Sequence, residues 1–156
     1  AVLAVVLVGN TLRQGSRQVA AAPLPRPGRT ARVLYVEDNA ANLMLVEQIV
    51  QRHSGVELLM APSGSLGLDL ARSHLPDLLL LDIHLPDIDG FQVLAQLRAD
   101  AQTRHIPVVA VTAQAMPDDV KRVVAAGFDG YLAKPLDLAS FDALLDRMLR
   151  ATPAVV

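Results

Sequence analysis

The 156-residue chain contains no cysteine. Disulfides, thiolate nucleophiles and cysteine-based zinc sites are therefore excluded, and the absence is neutral about the compartment. Aromatic residues make up only 3% of the chain, so a core must be built from Leu, Val, Ile and Ala. There is no surplus of positive charge. The formal net charge is -2, which lacks the basic excess of a protein that binds nucleic acid or an anionic membrane. A long apolar run is missing too. The run "AVLAVVLV" at Ala1 to Val8 is ended by Gly9, Asn10 and Arg13, whereas a membrane span needs roughly 20 apolar residues. A signal-peptide core would be preceded by basic residues, and none are present. The run reads better as a strand of a preceding domain or the remnant of a longer segment. A first residue of Ala rather than Met points to an excised or processed piece.

What is present is a foldable chain. Apolar residues reach 52% and charged residues 19%, enough for a packed core and too little charge for general disorder. The charge is unevenly placed. Residues 1–31 carry Arg13, Arg17, Arg26 and Arg29 and no acid, so the remainder holds 14 − 4 = 10 basic and 16 acidic side chains, a net of −6. Within the basic stretch, "AAAPLPRPGR" (Ala20 to Arg29) has the Pro- and Ala-rich composition of an extended linker. The expected organisation is an extension and linker over 1–31, a folded domain over 32–150, and a tail over 151–156.

Inside the domain, short apolar runs alternate with amphipathic stretches. Strands are expected at "RVLYV" (Arg32 to Val36), "VELLMA" (Val56 to Ala61), "DLLLL" (Asp77 to Leu81), "PVVAV" (Pro107 to Val111) and "GYLA" (Gly130 to Ala133). Helices follow each. The first is capped by Asn39 and presents Leu45, Val46, Ile49 and Val50. The second opens at Ser63 and ends before Pro76. The third covers Phe91 to Ala99, the fourth runs from Pro117 to Gly127, and the last is capped by Asp137 and presents Phe141, Leu144, Leu145 and Met148. Five strand–helix units with unbroken apolar strands predict an α/β, doubly wound parallel sheet covered on both faces.

Such a fold places its working residues outside the carboxyl ends of the strands. There the chain offers Glu37 and Asp38 after the first strand, Asp82 after the third, Thr112 after the fourth and Lys134 after the fifth. The stretch "LLLLDIHLPDIDG" drives four leucines straight into Asp82. Each residue alone has a plain explanation as a helix cap, a turn residue or a solvated charge. Together they bring three carboxylates, a hydroxyl and an ammonium to one rim. Carboxylates that close repel one another, and a divalent cation with a nearby Lys offsets that most simply. Hard oxygen ligands suit Mg²⁺. A carboxylate can act as a nucleophile toward phosphorus, and phosphoryl transfer mainly requires positioning and charge neutralisation. Asp82, fixed by the most apolar strand, is the nucleophile candidate.

Glu37-Asp38, Asp82, Thr112 and Lys134-Pro135, in this order and each after its own strand, resemble the receiver domain of two-component response regulators, over about Arg32 to Leu149. The resemblance implies a flavodoxin-like (βα)5 sandwich with sheet order 2-1-3-4-5. It implies that Asp82 accepts a phosphoryl group from a kinase phosphohistidine. Mg²⁺ would be held by Asp38, Asp82 and the backbone carbonyl of His84, with Glu37 acting through water. Lys134 would pair with the phosphoryl oxygens, Thr112 would hydrogen-bond them, and Tyr131 would be the switch aromatic. His84 departs from the usual pattern and sits, like Gln114, where phosphoryl lifetime is tuned. The implied partner is a sensor histidine kinase or a histidine phosphotransfer protein, with homodimers allowed. No direct nucleic-acid partner is expected, nor a membrane for the domain itself, and the location is cytoplasmic. "EDNAANLMLVEQIV" and the Pro-rich linker look more like a receiver attached to a hybrid sensor kinase than a stand-alone regulator. His53, His74 and His105 have no motif around them, and glycine-rich ATP-binding boxes are absent. An isolated receiver would be no enzyme beyond its own phosphorylation and dephosphorylation.

Three alternatives compete. A haloacid-dehalogenase-type phosphatase would also use Asp82 with Mg²⁺, but it wants a second Asp where His84 stands. A flavodoxin-like FMN binder would need a Ser- and Thr-rich phosphate loop that the chain lacks. A receiver that makes contacts without taking phosphate would not need the full set of polar residues.

Overall fold

In a computed structural model of the protein, the described residues are 5–7, 31–53, 55–113, 116–134 and 136–150. The linker stretch, Gln114, Pro135, the 151–156 tail and the Met148 side chain lie outside them. In chain order the strands are β1 (Val5–Leu7), β2 (Ala31–Val36), β3 (Val56–Ala61), β4 (Leu78–Asp82), β5 (Val108–Thr112) and β6 (Gly130–Ala133). The helices are α1 (Ala40–Gln51), α2 (Gly64–His74), α3 (Gly90–Ala99), α4 (Pro117–Ala126) and α5 (Leu138–Arg150). They form one six-stranded sheet in the order β1-β6-β5-β4-β2-β3. The five strands from β2 onward are parallel. Counted by themselves they run in the order 2-1-3-4-5, as expected.

β1 is the addition. Val5, Val6 and Leu7 pair antiparallel with Leu132, Tyr131 and Gly130, on the edge that β6 would otherwise leave open. An apolar, β-branched run satisfies its backbone by pairing at such an edge.

Strand periodicity builds the core. Successive side chains point to opposite faces, so the leucine run divides. Leu78 and Leu80 join Val46, Ile49 and Val50 of α1 and Phe141, Leu144 and Leu145 of α5 on one face. Leu79 and Leu81 join Leu68 of α2, Val93, Leu94 and Leu97 of α3 and Val123 of α4 on the other. All four leucines are fully buried, each contributing about 1.5–3 kcal/mol of transfer free energy. A strand covered on both faces needs no polar alternation, which explains why "LLLL" is continuous.

Helix ends follow their local chemistry. Asn39 accepts from the backbone N–H of Ala41 and Asn42. Ser63 accepts from Leu66. Asp137 accepts from the Ser140 N–H at 2.8 Å. Asp89 and Gln92 form a reciprocal capping box at α3, which moves that start one residue earlier than expected. α4 begins at Pro117 with Asp118 and Asp119 in its first turn, and ends on Gly127 at φ 103, a left-handed conformation that favours glycine. Two strands run one residue further than expected, because Asp82 pairs in register with Val111 and Thr112 with Ala133. Both polar residues are thus the last rungs of their strands.

Candidate phosphoacceptor site

The strand ends are stitched together by backbone bonds before any side chain contributes. The Glu37 N–H donates to Ala61 O at 2.9 Å, Ile83 to Val111 at 3.2 Å and Lys134 to Thr112 at 2.8 Å. These bonds fix Glu37, Asp82 and Lys134 at the same edge of the sheet. Lys134 Nζ lies 2.6 Å from Glu37 Oε1 and 3.2 Å from Asp82 Oδ2. The His84 N–H donates to Asp82 Oδ1 at 3.0 Å. Glu37, Asp38 and Asp82 each offer a carboxylate oxygen, and these oxygens lie within 4.8 Å of one another. Three hard oxygen donors that close together fit a divalent cation of the Mg²⁺ or Ca²⁺ type.

The three acids are not equivalent. Asp38 is exposed. Glu37 is fully buried, and its oxygens are already engaged. Oε1 accepts from Tyr35 Oη at 2.9 Å and Asn42 Nδ2 at 3.2 Å as well as facing Lys134, and Oε2 accepts from the Asn39 N–H at 3.2 Å. Burial opposes its ionisation, but Lys134 and the other donors prevail and hold its carboxyl below the ordinary value. The same donors leave Asp82 worse off. Burial, then the neighbouring Glu37, push Asp82 up to about 6, against the His84 N–H and Lys134. Lys134 is itself held above its ordinary value: burial alone would lower it, but the two carboxylates outweigh that. Burial, followed by Glu37, raises the Tyr35 hydroxyl far above its ordinary value.

The expected residues fall into two groups. Glu37, Asp38, Asp82 and Lys134 come together. Thr112 ends β5 at the same rim and lines a cavity of about 100 Å³ with Ile83, His84, Phe91, Asp119 and Arg122. Tyr131 is buried in the core cluster on the α2–α4 face, in register with Ala110. The His84 side chain is exposed, and the residue meets Asp82 through its backbone. His53 pairs instead with Asp142 at the α1–α5 side, 2.5 Å apart.

Sequence reasoning missed Tyr35, Asn42 and Asp87. Tyr35 had a legible signal: two residues before Glu37 on a strand, it shares that residue's face. Asn42 sits one turn into α1, opposite Glu37. Asp87 accepts from the backbone N–H of Gly64 and Ser65 and from Ser65 Oγ, each at 2.9 Å. Those donors, the Ser65 N–H first, hold its carboxyl well below the ordinary range. Nothing local announces bonds to residues 22 and 23 positions away.

Comparison with known proteins agrees with this geometry. The family model described as "Response regulator receiver domain" matches residues 33–146, more than half the chain. The polar-differentiation response regulator DivK of Brucella ovis is 44% identical over 112 residues, covering 72% of this chain and 90% of that protein. The Brucella anthropi DivK is 43% identical over 109 residues, 70% of this chain and 88% of that protein. Among solved structures, the receiver domain of the sensor histidine kinase PA1611 from Pseudomonas aeruginosa, with magnesium coordinated in its active-site cleft, superposes with a TM-score of 0.70. It is 30% identical, covering 77% of this chain and 98% of that one. The chemotaxis response regulator CheY4 of Vibrio cholerae gives a TM-score of 0.71 at 27% identity, covering 77% and 99%.

Proposed function

The chain belongs to the response regulator receiver domain family, and from that premise we propose that Asp82 is the residue that takes the phosphoryl group. A receiver of this family is a phosphoacceptor module of two-component signalling. One observation carries the assignment to Asp82. Its carboxylate is buried, oriented by the His84 N–H, paired with Lys134 and flanked by two further acids.

In the transfer step an Asp82 oxygen attacks the phosphorus of a phosphohistidine. The N–P bond breaks, and the departing imidazole keeps the bonding electron pair and takes up a proton. Lys134 pairs with the phosphoryl oxygens as the charge that Asp82 carried passes to them. Thr112, at the end of the neighbouring strand, donates its hydroxyl to the same group. Asp38, Asp82 and the His84 carbonyl would hold Mg²⁺, which would supply charge neutralisation on those oxygens. Glu37, with both oxygens already engaged, acts through water and through Lys134. The new group adds close to two negative charges at the rim. Thr112 and Tyr131 share the α2–α4 face and bias the surface of α4, β6 and α5 toward a second arrangement.

The donor is a histidine kinase or a phosphotransfer protein, and the domain works in the cytoplasm. Among the described residues no helix is long and apolar enough to cross a membrane. Attachment to a sensor kinase is supported by the likeness to the PA1611 receiver and by the linker composition. The family match leaves the dehalogenase-type phosphatase without support, and the acid that chemistry wants two residues after Asp82 is replaced by His84.

The test is direct. Incubated with acetyl phosphate and Mg²⁺, the protein gains the mass of one phosphoryl group, and Asp82→Asn does not. No gain, or an equal gain in the variant, would overturn the assignment.

A further inference from the structure

Asp82 receives its backbone hydrogen bond from a loop, and loops are the mobile parts of a fold. Residues Ile83 to Asp89 connect β4 to α3. At the far end Gly90 closes the loop. Its N–H donates to Ile83 O at 2.8 Å, and a Cβ there would stand 2.7 Å from Ile83 Cα and 2.9 Å from Asp82 O. Only glycine fits so close to the backbone of the phosphoacceptor.

The tip of the loop is held differently. A helix leaves the N–H groups of its first turn without partners inside the helix. In α2 the cap residue satisfies one of these, Ser63 Oγ taking the Leu66 N–H, while the Ser63 carbonyl accepts the first intrahelical bond from Gly67. The Gly64 and Ser65 N–H groups are taken instead by the two oxygens of Asp87, with Ser65 Oγ as a third donor. The carboxylate therefore caps a helix that is not its own. Ile88 closes the same joint, its Cβ standing 3.3 Å from where a Gly64 Cβ would be. His84 is thus bracketed, by Asp82 on one side and by a loop tip tied to α2 on the other.

We infer that Asp87 is a positioning residue for phosphoryl transfer: by tying the loop tip to the N-terminus of α2, it keeps the His84 N–H on Asp82 Oδ1. The inference rests on Asp82 being the phosphoacceptor. Asp87 touches no reacting atom. It acts through the loop, and what it governs is the orientation of the nucleophile and of the His84 backbone.

The test compares the 156-residue protein with Asp87→Ala, Asp87→Glu and Ser65→Ala by residue-resolved amide hydrogen exchange. In Asp87→Ala the His84 amide loses about tenfold in protection, while interior amides of β2 and β5 keep theirs, because the opening is local. Phosphorylation by acetyl phosphate with Mg²⁺ slows about tenfold at saturating donor, with the half-saturating donor concentration unchanged, as expected for a misoriented nucleophile. Asp87→Glu keeps the charge and both acceptors and recovers most of the loss. Ser65→Ala removes one of three donors and gives a smaller effect in the same direction. Wild-type protection at His84 together with a wild-type rate in Asp87→Ala refutes the inference. So does a loss of protection spread evenly over the core. If the wild-type protein takes no phosphoryl group, the phosphoacceptor assignment has failed, and exchange at His84 still decides whether the clamp exists.

Discussion

Replacing Asp82 with Asn should make the metal-free domain more stable, although it removes a residue proposed to be essential. Asp82 is almost fully buried, and its carboxyl is carried from an ordinary value of 3.8 to about 6 by burial and by Glu37. Keeping the ionised form at neutral pH then costs the native state about 3 kcal/mol relative to the unfolded chain. Glu37 stands beside it, and the Asn amide must find its own partners. The expected gain in Asp82→Asn at pH 7.5 is therefore about 1–3 kcal/mol, or roughly 3–5 °C in Tm for each kcal/mol in a domain of this size. The amide oxygen can still accept from the His84 N–H, its NH₂ can donate to Glu37, and Lys134 keeps Glu37 at 2.6 Å. The sign follows from proton linkage. The folded-state value lies above the unfolded one, so between about pH 4 and 6 the native state holds more protons than the unfolded chain. The stabilising contribution of protonated Asp82 is complete below about pH 4 and is lost as pH rises through 6. The advantage of the variant must accordingly be large at pH 7.5, shrink near pH 5 and vanish near pH 4. Urea denaturation of both proteins in EDTA at those three pH values measures it. Adding Mg²⁺ should reverse the ranking, because only the wild type keeps the full acidic cluster for the cation to stabilise. A variant less stable than wild type at pH 7.5, or an advantage independent of pH, refutes the reasoning.

Three further outcomes rest on the same contacts. Lys134→Met leaves two buried carboxylates without their cation, so stability at pH 7.5 should fall by about 2–4 kcal/mol, and the Asp82 carboxyl, followed by carbon NMR, should titrate above 6. Tyr35→Phe takes a donor from fully buried Glu37 and should cost about 1–2 kcal/mol in urea denaturation, with the Glu37 titration moving upward. Gly90→Ala forces a methyl against the Asp82–Ile83 backbone. It should cost about 1–3 kcal/mol and slow phosphorylation by acetyl phosphate, whereas an unchanged rate would mean that the loop is free to give.

The fold was legible because its signals are periodic and local. Unbroken apolar runs, each followed by a cap or a Pro, specify buried parallel strands and the helices over them without reference to distant residues. The leucine run is the clearest case, since only a strand covered on both faces accommodates it. The edge strand was harder to read. Val5–Leu7 pairs with residues more than 120 positions away, and an apolar run of eight residues is compatible with several fates until a free edge is known to be near. The rim residues were legible as a set because strand ends in this architecture converge. Their inequality was not. That Glu37 is engaged on both oxygens while Asp82 carries the cost of burial depends on Tyr35, Asn42 and Lys134 arriving at one oxygen and the Asn39 N–H at the other.

Strand register also explains how the rim is divided. Tyr35 lies on β2 and Glu37 two residues on, just past its end, and Leu78, Leu80 and Asp82 follow one another on one side of β4; Tyr35, Leu78 and Leu80 pack on the α1–α5 face, and the two carboxylates continue that side. Lys134 reaches the same place by following Leu132 at the same period. Ala110 and Thr112 lie on the opposite side of β5, with Tyr131 in register beside Ala110. The charged cluster and the hydroxyl–aromatic pair therefore sit on different faces of one sheet and meet only at its carboxyl edge. Up to Asp82 and Thr112, β4 and β5 carry only packed apolar side chains, so a charge change at Asp82 meets the hydroxyl–aromatic pair at the carboxyl edge. There it reaches Thr112 through the phosphoryl group and through Ile83 and His84 at the head of the loop that Asp87 ties down. Ile83 is buried in the α2–α4 cluster and lines the cavity with Thr112, whereas Asp82 one residue earlier belongs to the other face. That single peptide step joins the two halves of the site alongside Thr112, so loosening the loop would weaken both phosphoryl transfer and its transmission.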